Sequence, residues 1–118
     1  MGEGVRQTIL RVNARLAGLL EETRRALRGE HDFGVEEVGK IRQPVEEMAA
    51  IVARSAELRR MQPELAGELD LYKMQLGEMQ MALAQIRAML LARQASLEAG
   101  RAQLSAVSQW INAFRQTR

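Results

Sequence analysis

The stretch Glu64–Thr117, ELAGELDLYKMQLGEMQMALAQIRAMLLARQASLEAGRAQLSAVSQWINAFRQT, decides the fold. Alternating steps of four and three from Leu65 reach Leu69, Tyr72, Leu76, Met79, Leu83, Ile86 and Leu90. They continue through Arg93, Leu97, Gly100, Leu104, Val107 and Ile111 to Phe114. Thirteen of the fifteen positions are apolar or aromatic, the exceptions being Arg93 and Gly100. A 4-3 repeat keeps one stripe of a helix turned toward a neighbouring helix, as in a coiled coil. Pro63 stands just before the run, where its missing N–H costs nothing. Glu64, Glu68 and Asp70 lie in the first turns, at the positive end of the helix dipole. The spacing predicts one long helix over 64–116, about 80 Å in length.

The rest of the chain is built from the same helix formers. Ala, Leu, Arg, Glu and Gln dominate, and no strand-type alternation occurs. The expectation is all-α: an antiparallel helical hairpin or three-helix bundle with one very long C-terminal helix and coiled-coil-like packing. A chain of 118 residues makes a single domain over 1–118. There is no cysteine, which excludes disulfides and thiolate chemistry and fits a cytoplasmic location. The longest apolar run, Met48–Ala53, is far too short for a membrane span. The first residues, Met1-Gly2-Glu3-Gly4, carry no apolar core of a secretory leader, and Arg6 breaks the myristoylation pattern.

Upstream of the long helix, Val5, Ile9, Val12, Leu16, Leu19, Leu20 and Leu27 form one stripe of a helix over about 5–28. Arg24, Arg25 and Arg28 suit its C-terminal end, and Gly29 suits the C′ position. Residues 30–34 make the first connection, with Asp32 available as a cap. A second helical region over about 35–61 carries the stripe Ile41, Val45, Met48 and Val52. Pro44 interrupts it, so a kink or a restart near Gln43 is expected.

Reach then sets the main question. The first helix spans roughly 36 Å and the second region about 40 Å, so together they cover about half of the third. Because they join its N-terminal end, the covered half is expected to be 64–90. The remaining seam, from Leu97 to Phe114, has three outlets. It dimerises, folds back at Gly100, or binds another protein. A mid-helix glycine costs up to about 1 kcal/mol against alanine, which makes Gly100 the natural break. Arg93 either sets a register or marks where the intrachain core stops.

Chemistry is sparse. The only histidine, His31, lies in a loop and reads as a solvated side chain. No phosphate-binding glycine motif occurs. The acidic pairs Glu21-Glu22, Glu36-Glu37 and Glu46-Glu47 are adjacent, so their side chains diverge by about 100° and do not converge on a metal. Neither catalysis nor a cofactor is expected. From residue 87 onward five arginines face Glu98 alone, within a net charge of +2 for the chain. They are dispersed and lack an aromatic platform, so nucleic-acid binding is the least favoured reading.

The C-terminal surface is more informative. Only six charges occur from Met79 to Arg118, fewer than a freely solvated helix usually carries. Met74, Met79, Met81 and Met89 are either core filler or a repackable binding surface. Trp110, Ile111 and Phe114 form an aromatic and aliphatic cluster suited to an interface anchor, or to a homodimer or folded-back core.

In layout the chain resembles the FlgN-type flagellar export chaperones. The likeness lies in Leu19-Leu20-Glu21-Glu22-Thr23-Arg24-Arg25-Ala26-Leu27, followed by a short loop, a second helix and a long Leu/Gln/Arg-rich helix. It covers nearly the whole chain, and Pro44 departs from it. The resemblance implies a cytoplasmic chaperone that holds hook–filament junction subunits for the flagellar export gate. It also implies client binding by the C-terminal helix, which maps onto Leu97, Leu104, Val107, Trp110, Ile111 and Phe114. The client would be an amphipathic helix of a hook-associated protein. The alternative is a structural coiled-coil homodimer or an adaptor with no dedicated client.

Overall fold

The computed structural model describes the backbone of residues 2–116 and the side chains of residues 4–114. Thr117 and Arg118, at the end of the expected helix, and the side chain of Arg115 lie outside the described residues. Four α-helices account for most of the chain: α1 (Gly2–Leu27), α2 (Val35–Ala53), α3 (Ser55–Met61) and α4 (Ala66–Gln116). A 3-10 turn, Pro63–Leu65, leads into α4 with Pro63 in its first position. No strand occurs among the described residues. The protein is an all-α helical bundle with a long C-terminal helix.

The 118 residues, expected as one domain, group into two compact units, Met1–Ile86 and Arg87–Arg118. The hydrophobic core lies wholly in the first. There α1 and α2 run antiparallel: Arg11 pairs with Glu47, and the Arg15 guanidinium donates to Gln43 at 3.2 Å. α1 and the start of α4 run parallel, as Arg6–Glu68 at 3.9 Å and Arg24–Glu78 at 3.2 Å show. These exposed pairs fix register more than they stabilise.

The core has two adjoining clusters. Ile9, Val12 and Leu16 meet Met48, Leu58, Leu65, Leu69 and Tyr72 in one. In the other, Leu19 and Leu20 meet Ile41, Met79 and Ala82. Each fully buried aliphatic side chain contributes about 1.5–3 kcal/mol. Thr23 is buried beside the second cluster, its Oγ1 donating to the Leu19 carbonyl at 2.8 Å. Burial pushes the Tyr72 phenol above its ordinary pKa.

The helix ends follow local chemistry. Gly29 has φ of 80°, and its N–H and that of Glu30 donate to the carbonyls of Ala26 and Arg25. This is a glycine C′ closure of α1. The Arg28 pKa is raised by its hydrogen bond to the Glu30 carboxylate. Asp32 is not the cap of α2. That position is Gly34, whose N–H donates to Glu37 Oε2 at 2.9 Å. The reach-back holds the Glu37 carboxyl below its usual pKa.

The second region departs from expectation in two respects. Of the two outcomes open at Pro44 the restart near Gln43 is absent: α2 runs through Pro44, and the chain restarts at Arg54. The buried residues of α2 are Ile41, Pro44 and Met48, with Ile51 packed beside them. Val45 is half-buried and Val52 exposed. Ile41 and Met48 are thus buried as expected, while Pro44 and Ile51 take the places of Val45 and Val52. The proline ring is fully buried in the core, and that contact offsets the backbone hydrogen bond that proline removes.

Candidate partner-binding helix face

The long helix changes character at Ile86. Up to that point its buried residues alternate at helical spacing: Leu69, Tyr72, Gln75, Met79, Ala82 and Ile86. From Arg87 to Phe114 no described residue is buried, and only Met89 and Gly100 are half-buried. Leu90, expected to be the last covered position, is 43% exposed. The core therefore stops one heptad before Arg93, which lies beyond it.

Nothing in the backbone interrupts this second unit. α4 continues through Gly100, so the expected break is absent, and with it the fold-back at that residue. Alanine, leucine, glutamine and arginine surround the glycine, and their helix propensity outweighs its cost of about 1 kcal/mol. Taken by itself, the unit is a single amphipathic helix. One helix cannot bury its own apolar stripe, and its stability in water is marginal without a partner.

All six residues singled out from the sequence lie on this segment. Leu97, Leu104, Val107, Trp110, Ile111 and Phe114 are 40–70% exposed. Trp110 and Phe114, one helical turn apart, stack with ring centroids 5.8 Å apart and planes 19° from parallel. Such a pair offers a rigid, largely apolar plate with one indole N–H, the composition favoured in binding hot spots. Leu90, on the 4-3 seam, and Leu91, which stepwise counting left out, add exposed apolar area upstream. Leu91 is off the 4-3 seam, so periodicity had no means of marking it. The methionines divide: Met79 is core, while Met74 and Met81 are exposed on the first unit.

Elsewhere the polar groups serve the fold. His31 Nε2 is 3.8 Å from Glu37, the carboxylate that closes the start of α2. Glu47 is used by Arg11, and Glu21 by Arg25 and Arg28. Among the described residues no three acidic, histidine or cysteine side chains converge as metal ligands. A half-open groove of about 560 Å³ lies beside Tyr72, floored by Val52, Leu69 and Leu76. Arg59 and Asp70, which line it with Lys73, pair with each other at 2.7 Å. Among the described residues no helix is long and apolar enough to cross a membrane.

Fold and face together define the class of protein: an all-α bundle and an amphipathic helical segment with no fully buried side chain among its described residues. Comparison with models of known protein families, with curated proteins and with solved structures returned no match.

Proposed function

We propose that the protein is a binding module, which uses the face from Leu97 to Phe114 to hold an amphipathic helix of a protein client. The observation that carries this reading is the run of exposed apolar side chains after Ile86 on an unbroken helix. Helix-in-groove recognition uses anchors at such spacing, with aromatic residues as the energetic centre. The resemblance in layout to FlgN-type chaperones supplies the client class. The client is a hook–filament junction subunit, and the setting is the cytoplasmic side of flagellar export.

The test is calorimetric titration of the full chain with a purified junction subunit. Replacing Trp110 and Phe114 with alanine is expected to weaken binding by roughly a hundred-fold or more, as two truncated hot-spot residues would. The thermal unfolding of the bundle is expected to stay in place. Loss of the whole fold in the double variant would make the segment part of the core and end the proposal. Binding unaffected by the double substitution would move the client site elsewhere.

A further inference from the structure

The exposed face is not electrically neutral, and its charge selects among occupants. Between residues 87 and 114 the charged side chains are Arg87, Arg93, Arg101 and Glu98. Arg93 follows Leu90 by three residues and precedes Leu97 by four, so it stands within the apolar stripe. Arg101 follows Leu97 by four and precedes Leu104 by three, so it borders the stripe. Neither arginine has an ion-pair partner among the described residues, and Glu98 is occupied by the Gln94 amide at 3.2 Å. In the first unit, by contrast, Arg6, Arg11, Arg24 and Arg59 each face a carboxylate on another element.

A second copy of this chain in parallel register is a poor occupant. It would bring the same arginines and one glutamate, and parallel pairing in register would set Arg93 against Arg93 inside a desolvated seam. Like charges so placed oppose association. The stripe also contains a notch. Gly100 leaves no side chain between Leu97 and Leu104, and a Cβ there would meet nothing within 4 Å. A large apolar side chain from a partner fits into such a hole, as knobs do in coiled coils.

We propose that this face binds an acidic amphipathic helix, with carboxylates against Arg93 and Arg101 and a large apolar side chain seated over Gly100. The proposal rests on reading the face as a protein-binding surface and adds the charge of the partner.

The test uses the full chain and three synthetic helical peptides of about four heptads with one shared leucine stripe. Their flanks carry glutamate, glutamine or lysine, and binding is read by fluorescence anisotropy. At low salt the glutamate peptide is expected to bind about ten-fold more tightly than the glutamine peptide, the scale of a few exposed ion pairs. The lysine peptide is expected to bind weakest. The preference is expected to shrink near 1 M salt, where the screening length falls to about 3 Å. It is also expected to vanish in Arg93→Gln/Arg101→Gln. Equal binding of all three peptides would overturn the charge proposal while leaving a protein-binding face. A chain that binds none of them and sediments as a concentration-independent dimer would overturn both.

Discussion

Replacing Leu16 with alanine and, separately, Leu104 with alanine deletes the same atoms from two helices with opposite surroundings. Leu16 is 0% exposed among Ile9, Val12 and Met48, whereas Leu104 is 70% exposed. A buried leucine truncated to alanine costs about 2–5 kcal/mol, from lost transfer energy and the cavity left behind. A unit of this size has roughly 4–13 kcal/mol of stability in total, so Leu16→Ala removes a large part of it. The melting point is expected to fall by roughly 10–30 °C. Leu104→Ala loses little burial and gains slightly in helix propensity, so its effect is expected to stay within about 0.5 kcal/mol. Urea unfolding followed by far-ultraviolet circular dichroism at two protein concentrations measures both changes. If Leu104→Ala is as destabilising as Leu16→Ala, the reasoning fails, because the C-terminal stripe is then buried in the protein as it stands in solution.

Three further outcomes come from single groups. Gln75 is buried and its Oε1 has no hydrogen-bond partner among the described residues, so Gln75→Met, similar in length and apolar, is expected to raise stability by about 1 kcal/mol. A lower urea midpoint would mean that the oxygen is satisfied after all. Gly100→Ala adds a methyl group into open space on a helix, so amide exchange across 97–104 is expected to slow by up to about five-fold. Faster exchange would count against a continuous helix there. Glu37 has its pKa lowered by the Gly34 N–H, so it stabilises the folded form above the ordinary carboxylate range. That contribution is lost as pH falls through the lowered value. The stability gap between the protein and Glu37→Gln is therefore expected to close in acid, and a gap independent of pH would refute this account.

Much of the bundle was legible because periodicity records which face of a helix is dry. The α1 stripe from Ile9 to Leu20 and the seam from Leu65 to Ile86 were readable in this way, and they meet in the core. Gln75 and Ala82 are nonetheless buried more deeply than the seam positions Leu76 and Leu83. Gly29 was readable as a helix stop because only a residue tolerant of positive φ closes a helix in that manner. At Pro44 the sequence left a kink and a restart open, because proline's cost is local while its burial is tertiary. A ring packed in the core keeps α2 continuous across a residue that propensity alone would make a break. The actual restart, at Arg54 between Ala53 and Ser55, contains neither glycine nor proline and so carries no local signal. Asp32 is not the cap because α2 starts later, at Val35, with Gly34 at the N-cap and the Glu37 carboxylate, three residues in, accepting from its N–H.

By itself the sequence determined that the chain is helical, which stripes are apolar, and that two shorter helical regions cannot cover the whole of a third. Those properties depend on residue type and spacing along one rod, which a linear string states completely. Only the tertiary structure decided where cover ends, at Ile86, and which face of α2 turns inward around Pro44. These depend on how side chains from different helices fill one shared volume, and no single helix carries that information.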